Sequence, residues 1–527
     1  MELIGGFDLP LWSILLTLAL LLGYVYFTWT FTTWSKQGIS GPRPLPLFGT
    51  FLSTIVTTGG NLPVNDTQLV KKYGKLSGSY RGRVPVLNVA DPEFLRLAMI
   101  KDFSSMENRQ DSFFGNTLDC FLTSLTDDHW KHVRACISPT FTSGKLKQLK
   151  ARIDVCANQF VKYVADTKEK PFDLKKLVGG YTMDTISSTA FGVDLVSLQD
   201  EDHPMIVNAN RAMGTNMKTT LVEKILVVLR IFSFILLPNI MQRWLSKFGL
   251  SFINMEALSY FEDLSNQIIT ERGQDDLKQK DFVQLCTNQL IDEPALRDPE
   301  TQVDKYGRAW STKGLTKDEV VANAVLFFMA GYETTALTLH YVLYELTINP
   351  DIQKRVYEEI TTNMSGEEAS YDELSKMEYV DWVLQEAMRL YPAALRLERL
   401  VGRDTTVAGV HLSAGSMVSA LVYPIHHDPE IWPDPEKFDP ERFSPENREG
   451  RHQYAWIPFG LGNRNCIGMR LALLNMKIAM VKTLKNYVLE PCEGTPTKPL
   501  TWARNFRMDP EKPIMISAKR RAQVTQP

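Results

Sequence analysis

Cysteine is scarce and scattered: six stand in 527 residues, at Cys120, Cys136, Cys156, Cys286, Cys466 and Cys492, with no Cys-x-x-Cys pair. That spacing excludes a disulfide scaffold and a zinc ribbon and makes reduced thiols the expectation. Charge of one sign is also missing. With 58 Lys plus Arg against 61 Asp plus Glu, a net charge of -3, no global basic field exists to hold nucleic acid. From about Asp66 onward there is no low-complexity tract, internal repeat or second linker, so nothing invites a cut into further domains. The remaining composition, 44% hydrophobic and 23% charged, is that of a globular chain with ample material for a core.

Charge is absent altogether from Leu9 to Ser35, and the apolar run from Leu11 to Leu22 continues through Val25, Phe27 and Trp29. A bilayer needs about 20 such residues, and Glu2 and Asp8 ahead of the run do not resemble the basic start of a cleaved signal peptide. An uncleaved anchor over residues 1–36 is expected, with Trp29, Phe31 and Trp34 near the interface. Lys36 and Arg43 follow it, which places the rest of the chain on the cytosolic side and leaves the sequons at Asn65 and Asn363 unglycosylated. Gly41-Pro42-Arg43-Pro44-Leu45-Pro46 then reads as a stiff, extended hinge within residues 37–50.

Residues 51–527 read as one α-rich body with small sheets, an α+β pattern, with strand-like stretches at Val84 to Val89 and Thr405 to Val422. Ile225 to Leu237 is apolar around Arg230 but too short to span, so it suits either core or an interfacial patch. Lys131 to Arg152 carries six Lys and Arg residues without an acid, a local basic stripe that is usually a solvated face.

Thr316-Lys317-Asp318-Glu319 has the capping-box pattern, and no breaker follows before Asn349-Pro350, which predicts a buried helix of about 32 residues. Midway stands Ala330-Gly331-Tyr332-Glu333-Thr334-Thr335, where a glycine, an acid and hydroxyls interrupt an apolar stretch. A glycine needed for helix crossing explains it as well as chemistry does. Ser370-Tyr371-Asp372-Glu373 opens a second expected helix, ending near Tyr391-Pro392. On it Glu386 and Arg389 share a face; alone they make an ordinary surface pair, unless Arg442 of Pro440-Glu441-Arg442-Phe443 folds back onto Glu386.

Phe459-Gly460-Leu461-Gly462-Asn463-Arg464-Asn465-Cys466-Ile467-Gly468 delivers one cysteine to the start of a helix. Amide N–H groups at a helix start favour a thiolate, and the glycines let a flat ligand approach the backbone. A dinucleotide loop fails because Asn465 stands where the third glycine belongs and no βαβ pattern follows. A structural cysteine is the commoner fate of such a residue.

Taken together these segments resemble the cytochromes P450, the haem-thiolate monooxygenases, from the Pro-rich hinge to the carboxyl end. Phe459 to Gly468 matches the family's cysteine loop at every defining position, and the other three motifs follow in the family's order. Ala330 to Thr335, Arg396-Leu397-Glu398-Arg399 and Arg464 to Arg470 look most like the family-3 microsomal enzymes that oxidise drugs and steroids.

The resemblance implies a mainly α fold with small β-sheets and haem b with Cys466 as its axial thiolate. Arg109, Trp130, Arg134, Arg399 and Arg464 match positions that hold the haem propionates, and Phe459, Gly460, Gly468 and Ala330 match positions beside the ring. Thr334, with Glu333, would manage dioxygen and protons. Glu386, Arg389 and Arg442 correspond to a structural network. The substrate pocket would draw on Phe113, Phe114, Phe327, Phe328, Ala330, Ala393, Ala394, Leu395 and Phe506, though plain core packing explains each singly. Ile225 to Leu237 would dip into the membrane.

The implied activity is hydroxylation of lipophilic compounds at the endoplasmic reticulum. Electrons would come from NADPH through a flavoprotein reductase, with cytochrome b5 as a further partner and the basic stripe as a docking face. A same-fold isomerase or lyase resembling thromboxane synthase, acting on peroxides without dioxygen, is the alternative; a haem- or lipid-binding protein without turnover is a third.

Overall fold

The computed structural model describes residues 10–110, 117–200, 202–213, 254–272, 281–291, 301–503 and 507–521. Phe113, Phe114, Phe506 and the stretch 225–237 lie outside them.

Helix α1, Leu11–Thr28, is long and apolar enough to cross a membrane, and none of it is buried against the body. It ends earlier than the uncharged run. Trp34, expected at an interface, is buried instead, with its Nε1 donating to the Ser79 carbonyl at 3.1 Å. The Pro-rich segment is not a free spacer: Gly78 N donates to Ser40 O at 2.9 Å and Thr50 N to Tyr80 O at 2.8 Å, so it lies along strand β1, Leu76–Arg81.

Strand β1 pairs antiparallel with β2, Val84–Val89. A hairpin of β3, Gln302–Val303, and β4, Ala309–Trp310, stands apart. Strands β5, Arg396–Leu400, and β6, Met417–Leu421, complete the four-stranded sheet in the order β1-β2-β6-β5. Every residue of β6 is buried, as suits an inner strand with apolar side chains on both faces.

Four further helices position the site: α2, Asp127–Ile137; α3, Leu174–Ile186; α4, Lys317–Ile348; and α5, Pro350–Asn363. The capping box at the start of α4 is present, with Glu319 N donating to Thr316 Oγ1 at 3.2 Å and Thr316 N to Glu319 Oε2 at 2.7 Å. The 32-residue helix ends where Pro350 begins α5. The next predicted helix is two, α6, Tyr371–Lys376, and α7, Glu378–Leu390. They part at Met377 because the Glu359 carboxylate of α5 accepts the Tyr379 and Val380 amides, at 2.9 and 2.8 Å, and caps a new start. Helix α8, Met469–Asn486, packs with α3, α4 and α7 around Leu343, Tyr344, Val383, Leu384, Ile478 and Val481.

Candidate active site

The loop that carries Cys466 is held by its own backbone. Cys466 N donates to Phe459 O at 2.8 Å, closing the loop around a single turn of tight helix at Gly462–Arg464. Gly462, at φ +62°, sits where a Cβ would come within 2.8 Å of the Met99 carbonyl, so no other residue fits without displacing that strand of chain. Helix α8 starts three residues after Cys466, and the amides of Gly468 and Met469 point at its sulfur.

The Cys466 side chain is open to a cavity rather than packed. Burial pushes its thiol up; the Gly468 and Met469 amides and the guanidiniums of Arg134 and Arg109 pull it back. The amides and guanidiniums around the sulfur suit a thiolate once a cation binds it.

Arg109, Arg134, Arg399 and Arg464 line the same cavity. Among the described residues none of the four forms an ion pair with a carboxylate. Arg464 donates to carbonyls at Glu107, Leu122 and Leu125, at 3.0, 3.3 and 2.9 Å. Arg134 grips Asn465 O and Oδ1 at 3.0 and 2.8 Å. Arg399 is 1% exposed and its Nε has no partner. Burial, and then the neighbouring guanidiniums, lower Arg464 to about 8 and, with Arg109 as the neighbour, Arg399 to about 9. A buried cluster of cations with an orphaned donor fits a ligand that brings carboxylates, as haem does with its two propionates.

Helix α4 contributes the facing stripe. Leu326, Ala330, Thr334 and Thr338 recur every four residues along one side and all line the cavity. Thr334 Oγ1 donates to Ala330 O at 2.6 Å, which leaves the oxygen's lone pairs directed elsewhere. Gly331 answers a packing need: a Cβ there would lie 2.6 Å from Ile186 Cδ1, so the glycine lets α3 cross α4 closely.

Glu333 is not on this stripe. One residue from Thr334, it is rotated about 100° around the helix and pairs with Arg507, away from the cavity lining. Burial raises its carboxyl despite Arg507. The expected partnership of Glu333 with Thr334 is thus not formed in this arrangement.

Phe459, Gly460, Gly468, Trp130, Phe327, Ala330, Ala393 and Ala394 line the cavity as expected. Phe328 does not; it is fully buried, with its ring 4.4 Å from Phe261, because it points from α4 into the opposite core. Leu395 is likewise core, and Leu397, two residues on along β5, takes its place in the wall. Sequence reasoning missed Leu122, Phe141, Phe282 and Leu285. Leu326 and Thr338 were recoverable from Thr334 by helical spacing, whereas Phe141 and Phe282 carry no local signal.

Glu386, Arg389 and Arg442 form a buried network away from the cavity. Arg389 donates to both Glu386 oxygens at 2.7 and 2.9 Å, Arg442 Nε lies 3.3 Å from the same carboxylate, and Arg389 also holds the His426 carbonyl at 2.7 Å. The basic stripe is not a free cationic face. Arg134 turns into the cavity, Lys131 pairs with Asp128 and Glu107, Lys147 with Asp372 and Lys150 with Asp154.

Residues 39–517 match the cytochrome P450 family. The chain is 37% identical to lithocholate 6-beta-hydroxylase of Mesocricetus auratus over 98% of both chains. It is 36% identical to cytochrome P450 3A11 of Mus musculus and to cytochrome P450 3A9 of Rattus norvegicus, again over 98% of each chain. The match over nearly the whole body, joined to relatives that align end to end, places the chain in the cytochrome P450 family as a monooxygenase that works with haem iron.

Proposed function

We propose that Cys466 would hold the haem iron through its thiolate in an enzyme that hydroxylates lipophilic substrates such as steroids, fatty acids or xenobiotics. Residues 51–527 act as one haem-binding body behind the hinge, anchored by α1 in the endoplasmic reticulum membrane with the body in the cytosol. NADPH supplies electrons through a separate flavoprotein reductase, with cytochrome b5 as a second donor.

The observation that carries this reading is the meeting of the open Cys466 sulfur and four carboxylate-free arginines in one cavity. Arg109, Arg134, Arg399 and Arg464 hold the propionates, Trp130 supports them, and the Gly468 and Met469 amides steady the thiolate. When bound, haem supplies dioxygen activation and one-electron chemistry that no side chain offers. Around it Leu326, Phe327, Ala393 and Leu397 exclude water and orient an apolar substrate, and Thr334 holds a proton at Oγ1. The name of the hamster relative supports a steroid among the substrates.

The test is the carbon-monoxide difference spectrum of the dithionite-reduced protein beside that of C466S. A strongly red-shifted Soret band lost in the variant is expected. A haem-loaded, folded wild type without that band overturns the thiolate assignment.

A further inference from the structure

We infer that His129 is a positioning residue for the haem grip: wedged between Glu319 and Asp304, its imidazolium fastens the haem-facing helix α2 to the head of α4 and to the β3–β4 hairpin. The inference rests on the reading of Trp130 and Arg134 as haem contacts.

His129 precedes Trp130 on α2 and is 3% exposed. Its Nε2 lies 2.5 Å from Glu319 Oε1 and its Nδ1 3.5 Å from Asp304 Oδ2, and its ring stacks on Trp310 at 5.2 Å with 6° between planes. Three elements distant in sequence thus converge on one imidazole.

Each carboxylate has further partners. Glu319 Oε2 accepts the Thr316 amide of the α4 cap at 2.7 Å. Asp304 takes the amides of Tyr306 and Arg308, at 2.8 and 3.0 Å, and pairs with the Arg308 guanidinium at 2.6 Å. Arg308 in turn donates to the Asp119 carbonyl, and His132, across Trp310, reaches Gly314 O at 2.9 Å. With His129 charged, two cations face two buried carboxylates. Losing its proton strips Glu319 of its cation inside the protein, where an uncompensated carboxylate is costly.

Burial opposes the His129 charge, but Asp304 and Glu319 outweigh it and raise its pKa above the ordinary histidine value. A raised folded-state pKa gives stabilisation that is complete below about 6.5, the unfolded value, and lost as pH rises through the folded one. The grip of Trp130 and Arg134 on haem therefore loosens on the alkaline side.

The experiment follows haem transfer from the holoenzyme to excess apomyoglobin at the Soret band, from pH 6 to 9, for wild type, H129Q and E319Q. Wild type is expected to release haem about tenfold faster as pH rises, a change of roughly 1.4 kcal/mol. H129Q should release at the fast rate already at pH 6, with a flatter profile, and E319Q should move the rise to lower pH. Every other group is the same in all three proteins, so the differences report the His129–Glu319 pair. Should H129Q yield no holoenzyme, E319Q carries the test. Identical profiles in haem-loaded proteins overturn this inference alone; a wild type without haem overturns the function reading and this inference with it.

Discussion

Arg464 lays its guanidinium 3.7 Å from the centre of the Trp130 ring, while its Nε donates to the Glu107 carbonyl at 3.0 Å. The planar group is thus fixed by stacking and by its fork at once. Lysine can do neither. R464K should retain its helical content by circular dichroism yet bind haem about tenfold more weakly, read as the ratio of Soret to protein absorbance after gel filtration.

The Thr334 hydroxyl is the polar group of α4 nearest the centre of the cavity stripe. T334A should keep substrate binding and NADPH consumption while product per NADPH falls sharply, because a proton-handling hydroxyl is removed. Parallel assays of NADPH, product and peroxide check it. Full coupling in T334A would favour rearrangement of a substrate peroxide without dioxygen.

A methyl added at Gly331 meets the end of the Ile186 side chain, 2.6 Å from Cδ1, and Ile186 must shift to admit it. G331A should lower unfolding stability by about 1 kcal/mol, the overpacking exceeding the gain of alanine over glycine in a helix. Trimming the neighbour in I186A should reverse the sign of that effect, because the methyl then fills space. A double-mutant cycle in urea measures the coupling.

Asp184 on α3 is buried and accepts the Ser197 amide at 2.9 Å, and burial lifts its carboxyl from 3.8 to about 6. A carboxyl raised in this way destabilises the folded state progressively as pH rises from 3.8 to about 6, and the loss is complete above that. D184N keeps the accepting oxygen and removes the charge. It should stabilise the protein at pH 7.5 by on the order of 2 kcal/mol, by about half as much at pH 5 and by little at pH 4, seen in urea midpoints.

The elements written in local chemistry were legible in advance. The capping box and Pro350 bound α4 correctly, whereas the glycine-rich loop by itself left Cys466 open between a ligand and a structural residue. Arg442 did fold onto Glu386, which turned a pair that looks superficial into a buried network. What escaped depended on distance in sequence. The break at Met377 is made by Glu359, from another helix; Glu333 is turned by Arg507, far along the chain; Phe328 differs from Phe327 only by 100° of helix rotation. No spacing rule within a segment contains those partners; of the acids that neutralise the basic stripe, Asp128 and Asp154 stand at helical spacing just beyond its ends, whereas Glu107 and Asp372 come from elsewhere in the chain.

The junction between α1 and the sheet carries one more consequence. Arg83, in the turn between β1 and β2, stacks over Tyr26 at 4.3 Å and Trp29 at 5.8 Å, its carbonyl accepts from Thr30, and Trp34 is buried beside β1 a few residues on. The foot of the helix is therefore clasped to the β1–β2 turn instead of hanging from a loose tether. With Leu11–Thr28 in a bilayer, that clasp of aromatic and cationic contacts would pass the helix's tilt on to the sheet.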